Sequence, residues 1–163
     1  MEKGAKKSKS VRPVPEGFHT VTPYLIVDGA TELLEFIKNA FGGTQTYITK
    51  GENDSIMHAT IRIGDSLVMV SDTMDDTPPQ TAMLYLYVES ADDMYKKAIN
   101  AKATSVHEPT SEFYGDRAAA VKDKWGNVWW MATHEEDVDA AEIEKRKAQH
   151  FKDYKRKKEE AHV

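Results

Sequence analysis

Two halves of this chain repeat one pattern at a spacing of about 61 residues, and that repeat limits the fold more than any single motif does. Ala30 falls on Ala91 and Asn39-Ala40 on Asn100-Ala101. Gly64 falls on Gly126 one residue further out, which sets Leu67-Val68-Met69 against Trp129-Trp130-Met131. Each half reads as a strand, a helix and three strands. In the first half, β-branched and aromatic residues mark a strand over 18–27. Leu33, Leu34, Ile37, Ala40 and Phe41 then take helical spacing from Ala30 until Gly42-Gly43 stops them. Strands follow at 44–49, 55–63 and 66–71, the last two joined by a tight Gly64-Asp65 turn. The second half predicts a strand at 83–89, a helix at 91–101 with Met94, Tyr95, Ala98 and Ile99 inward, and strands at 104–107, 117–122 and 127–133. The fold class is therefore α+β, two βαβββ modules over about 18–72 and 81–134, linked by the polar, Pro-rich loop 72–80.

A chain of 163 residues suffices for one core and crowds two, so residues 13–136 are taken as one domain. Residues 1–12 form a basic, disordered tail, and 137–163 a charged C-terminal helix. Ala, Glu, Lys and Arg favour that helix, and Ile143, Lys147, Phe151 and Tyr154 give it only a thin apolar stripe. The stripe suits docking on the domain or on a partner. Charge is unevenly spread: residues 13–142 hold nine Lys/Arg against 22 Asp/Glu, a net charge of −13, while both ends are basic. Such a body repels nucleic acid and favours a cationic or amphipathic ligand. No apolar run approaches the roughly 20 residues that span a bilayer, and there is no Cys and no apolar secretory segment, which points to a cytoplasmic protein without membrane contact.

Several short motifs in order carry a family resemblance. They are Pro15-Glu16-Gly17-Phe18-His19-Thr20-Val21-Thr22-Pro23-Tyr24-Leu25-Ile26-Val27, then Ile56-Met57-His58-Ala59 and Ile63-Gly64-Asp65-Ser66. Phe113-Tyr114-Gly115-Asp116-Arg117, Trp125-Gly126-Asn127-Val128-Trp129 and Ala132-Thr133-His134-Glu135-Glu136-Asp137-Val138 complete the set. Together the chain resembles the PhnB-like, demethylubiquinone-methyltransferase-like branch of the glyoxalase, bleomycin-resistance and dioxygenase (vicinal-oxygen-chelate) superfamily. The resemblance implies a curved mixed sheet around a ligand cavity, in a homodimer. No glycine-rich nucleotide loop is present to support a methyltransferase.

Enzymes of that superfamily hold a divalent metal with one side chain on the first and one on the last strand of each module. The resemblance puts those positions at Thr22, Val68, Met83 and Trp130. None offers imidazole, carboxylate or thiolate, and a slip of one residue to Val21, Leu67, Ala82 or Trp129 helps no more. No metal and no cofactor are therefore expected.

What remains is a set of candidate pocket residues. His58 alternates with Ile56, Thr60 and Arg62, opposite the apolar set Met57, Ala59, Ile61 and Ile63, so it faces the cavity and could serve as a general base. A hydrogen-bonded structural histidine fits the same pattern. Arg117 follows Tyr114-Gly115-Asp116 and could grip a ligand carboxylate or phosphate, or equally pair with Asp116 or another carboxylate. Tyr24, Tyr85, Tyr87 and Trp130 share inward parity, and with Tyr114 offer an aromatic lining, although core packing explains any one of them. His134 reads as an anchor for the C-terminal segment, and His19, His107, His150 and His162 as incidental. These residues support metal-independent binding or sequestration of a small organic molecule. The alternative is a lyase, isomerase or dioxygenase-like enzyme acting on a small carbonyl or acid through His58 and Arg117. A third reading is an interaction module built on the C-terminal helix.

Overall fold

The computed structural model describes residues 11–160. The basic tail, apart from its last two residues, and His162 lie outside them. The first module comprises β1 (Tyr24–Val27), α1 (Ala30–Phe41), β2 (Thr44–Lys50), β3 (Ile56–Ile63) and β4 (Ser66–Asp72). The second comprises β5 (Met83–Tyr87), α2 (Ala91–Asn100), β6 (Thr104–Ser111), β7 (Asp116–Lys122) and β8 (Val128–His134), followed by α3 (Ala140–Glu160). Each module folds into one four-stranded sheet, β1-β4-β3-β2 and β5-β8-β7-β6, with the first strand parallel to the last and the other pairs antiparallel. The α+β class and the doubled βαβββ order hold.

Period-2 alternation decides which side chains meet the helices. In the first sheet Leu25, Val27, Ala59, Ile61, Val68 and Val70 are all buried, and α1 lays Leu33, Leu34, Ile37 and Phe41 against them. In the second, Trp129, Met131 and Val121 are buried in the same way beneath α2. The two helices pack on each other, and Trp129 reaches across to α1, its ring 4.6 Å from Phe41 and 6.4 Å from Phe36. One core therefore serves both modules. Each sheet keeps its opposite face, the open face, turned away from the helices.

Helix starts show how deep the repeat goes. α1 begins at Gly29, whose left-handed backbone offers no capping side chain, so the cap comes from the end of β4. Asp72 Oδ1 accepts from the N–H groups of Gly29 (3.0 Å) and Ala30 (2.7 Å). In the second module the N–H of Ala91 donates to Thr133 Oγ1 at 2.8 Å, and Ser90 caps Asp93 N. A carboxylate or hydroxyl there satisfies helix donors that otherwise have no partner. The pair Asp72 and Thr133 keeps the 61-residue spacing, as does the register Tyr24 opposite Met69 and Tyr85 opposite Trp130.

That register corrects three expectations. The match of Gly64 to Gly126 fails, because β3 and β4 join through a two-residue turn whereas β7 and β8 join through Asp123 to Asn127. Val68 consequently answers Trp129, not Trp130; it lies opposite Ile61 on the helix side and is 3% exposed. At the start of β3 a bulge skips Met57, so Ile56 is buried and Met57 is exposed, the reverse of simple alternation. Residues 18–23 form no strand. They belong to an irregular strap over the open face of the first sheet.

α3 continues from β8 through Arg146, which donates to Glu136 from both terminal nitrogens (2.7 and 2.8 Å) and to Glu142 from Nε (2.9 Å). Its apolar stripe stays largely outside, with Phe151 and Tyr154 exposed, while His150 lies 5.5 Å from the ring of Phe113. No helix of the described residues is long and apolar enough to cross a membrane.

Candidate functional site

Aromatic residues gather on both open faces but not in one cavity. On the first sheet the His58 ring lies 5.8 Å from Tyr24 and 6.0 Å from Tyr47. Its Nδ1 is 3.4 Å from the Tyr24 hydroxyl and its Nε2 is 3.5 Å from Thr60 Oγ1, long contacts that leave the ring able to take another partner. A pocket of about 350 Å³ opens here between β2, β3 and the strap, lined by Glu16, Phe18, Tyr47, His58, Thr60 and Arg62 among others.

On the second sheet Tyr85 and Trp130, opposite one another in register, are stacked at 6.2 Å and 9°. Tyr87 and His107 extend the group, at 5.4 Å from Tyr85 and Trp130 respectively. Tyr85 and Tyr114 face each other, and burial pushes both phenols above their ordinary range, Tyr114 the further because Tyr85 and Glu112 also oppose its ionisation. Both therefore stay neutral at pH 7 and offer hydrogen bonds, not charge. Between the modules runs a wider cleft of about 1260 Å³, from Val21, Pro23 and Leu67 on one side to Tyr85, Tyr87 and His134 on the other. That exceeds the usual few hundred to roughly 1,000 Å³ of a closed small-molecule site.

The candidate residues thus divide into groups. Tyr24 and His58 lie on the first sheet; Tyr85, Tyr114 and Trp130 lie on the second. Arg117 joins neither. It sits opposite Thr133 on the helix side, and its guanidinium holds Asp92 at 2.5 Å (Nε) and 2.8 Å (Nη2) and Ser111 at 3.2 Å. Each partner shifts the other as an ion pair should, Asp92 downward and Arg117 upward. Asp116, the other possible partner, instead accepts from Tyr87 (3.4 Å) and meets His134 Nδ1 at 2.7 Å.

Three residues that matter here escaped the sequence reading. Tyr47 lies on β2 beyond a bulge that breaks its alternation. His107 was read as incidental; a register shift in β6 between Ser105 and His107 sets it opposite Ala120, with its ring beside Trp130. Arg62 shares the parity of His58, which was a usable signal.

The metal positions can now be tested on their chemistry. With the register corrected, Met69 stands opposite Tyr24 where Trp130 stands opposite Tyr85, and Thr22 donates its hydroxyl to His19 O at 3.0 Å. Thr22, Met69, Met83 and Trp130 supply neither imidazole nor carboxylate nor thiolate, so these residues do not fit a divalent iron, manganese, nickel or zinc ion.

The family model of the Glyoxalase/Bleomycin resistance protein/Dioxygenase superfamily matches residues 17–131. The chain belongs to that superfamily. Among sequence relatives of this superfamily member, an uncharacterised Mycobacterium bovis protein, Mb0911c, is 27% identical over 135 residues, covering 76% of this chain and 89% of that protein. Solved structures with the same fold include TioX from Micromonospora sp. ML1, at TM-score 0.58 and 18% identity, covering 70% of this chain and 98% of that one. The PhnB protein of Bacillus cereus matches at TM-score 0.57 and 16% identity, over 71% and 99% of the two chains. Fosfomycin resistance protein FosX from Mesorhizobium loti matches at TM-score 0.53 and 12% identity, over 71% and 91%. The family match ends at residue 131, so α3 lies outside it.

Proposed function

We propose that this superfamily member binds and sequesters a small organic molecule without a metal, in a cavity completed when two copies associate as a cytoplasmic homodimer. One observation carries the reading: the open faces expose large aromatic and thioether side chains. Tyr24 is 41% exposed, Tyr85 43%, Tyr87 69% and Met83 70%. Apolar surface gathered in this way marks a binding or association face. The half-sites lie on different modules of one chain, so a second copy could bring an aromatic first face against an aromatic second face. Tyr24, His58, Tyr85, Tyr114 and Trp130 would then form the walls, with neutral phenols orienting the ligand.

The enzymatic alternative rests on His58, which keeps an open-face position beside two tyrosines. Its other residue, Arg117, is paired with Asp92, which favours the binding reading over this one. Titration of the tryptophan fluorescence against a panel of aromatic acids, amides and amines, with mass measured by light scattering, tests the main reading. Saturable quenching in a dimer supports it. A monomer that binds no member of the panel sinks it, and turnover abolished by His58→Ala with binding retained transfers the assignment to catalysis.

A further inference from the structure

Arg62 stands out among the open-face side chains because its guanidinium has no ion pair and no hydrogen bond among the described residues. Its neighbours in register are Leu67 on β4 and Thr44 on β2, neither of them acidic. The group is nevertheless half-buried. The strap crosses above it at Gly17, whose φ of +81° lets the backbone turn there, and a side chain at Gly17 would lie 3.2 Å from Nη2 and 3.3 Å from Leu67 Cδ1. Glu16 is the one carboxylate lining the pocket, and it sits on the exposed rim beyond ion-pairing distance. A guanidinium withdrawn from water without a counter-charge costs free energy that a bound anion would recover.

Other polar groups point the same way. Thr60, 3% exposed, lies between Arg62 and His58 on this face, and Tyr47 adds a phenol at the far end. From residue 58 to 62 the strand advances about 13 Å, and the long arginine side chain shortens the distance to the His58 ring. That spacing suits a ligand with an acidic head and an aromatic or apolar body.

We propose that Arg62 anchors an oxyanion subsite in the first-module pocket, and that the ligand presents a carboxylate or phosphonate head group to it with its body lying along Thr60, His58 and Tyr47. This rests on the sequestration reading and deepens it. The net charge of −13 over residues 13–142 favours cations at long range. That field is screened within roughly 8–10 Å at ordinary ionic strength, whereas a bidentate guanidinium contact acts at 3 Å.

Three probes test the subsite on the full chain by calorimetric titration in 0.1 M salt: indole-3-acetate, its neutral amide indole-3-acetamide, and phenylphosphonate. The acid should bind about tenfold or more tightly than the amide, in keeping with the strength of charge-assisted hydrogen bonds. Arg62→Met should erase that difference by lowering affinity for the acid, and Arg62→Lys should keep part of it. Phenylphosphonate binding that also falls in Arg62→Met extends the subsite to phosphorus oxyanions. Equal affinity of the unaltered chain for acid and amide overturns the oxyanion subsite alone, as does discrimination that survives in Arg62→Met. Absence of binding by all three probes overturns the subsite and the sequestration reading together.

Discussion

Arg117 grips Asp92 through two parallel hydrogen bonds, 2.5 Å from Nε and 2.8 Å from Nη2, and so ties the start of β7 to the first turn of α2. A planar fork of this kind is not reproduced by a lysine. Arg117→Lys should therefore lower the melting temperature and leave ligand affinity unchanged, whereas substitutions at Tyr85 or Trp130 should do the opposite. Parallel thermal melts and titrations separate the two patterns.

Asp123 organises the β7–β8 turn as a buried carboxylate, accepting from the N–H groups of Trp125 (3.0 Å) and Asn127 (2.9 Å), from Asn127 Nδ2 and from Trp129 Nε1 (both 2.9 Å). Asp123→Ala strands those donors and should cost about 3 kcal/mol or more. Urea unfolding followed by tryptophan emission measures it; a loss under about 1 kcal/mol would mean that water replaces the carboxylate.

Gly43 follows α1 with its Cα pressed against the core. An added methyl would lie 2.8 Å from Ile37 Cγ2 and 2.9 Å from Ile61 Cδ1. Gly43→Ala should destabilise by about 1–3 kcal/mol through overpacking, and Ile61→Val in the same chain, which removes Cδ1, should recover part of that loss in the same denaturation assay.

His134 is held between Asp137 (2.9 Å) and Asp116 (2.7 Å), and these hydrogen bonds, Asp137's first, raise its pKa above the ordinary 6.5. A raised folded-state pKa means stabilisation that is fully present below about pH 6.5 and is lost as pH rises through the folded value. Melting temperature should accordingly fall as pH rises above about 6.5, and His134→Gln should flatten that slope. An unchanged slope in the variant would remove His134 from the account.

Tyr87 and Met83 protrude from the outer strand of the second sheet. If two copies close the cavity, Tyr87→Lys should shift the mass measured by light scattering toward the monomer and weaken quenching of the tryptophan fluorescence in parallel. Dimer mass retained together with full affinity would place the association face elsewhere.

Much of this architecture was legible because its causes are local. Apolar residues at helical spacing and the Gly42 stop define α1 almost to the residue, and alternation in β3 correctly turns His58 and Ala59 to opposite faces. What was hidden depends on hydrogen bonding between strands. Loop length between β7 and β8 moved Val68 to the helix side, the bulge at Met57 inverted the start of β3, and pairing with β7 carried β6 through Pro109. The site was harder to read than the fold for one reason. An arginine's partner is settled by tertiary geometry, so Arg117 and Arg62 look interchangeable in sequence, yet one is engaged and the other open.

Trp129 beneath Phe36 and Phe41 has a consequence for how the duplicated halves behave as a material unit. Neither half can open without tearing an indole out of the other half's apolar surface, so the free energy of exposing α1 includes that of exposing β8. Amides in those two elements should exchange with solvent by the same rare event, at rates that respond together to denaturant. The sequence repeats itself, but cooperativity does not respect the repeat: α1 and β8 melt together, although they belong to different halves.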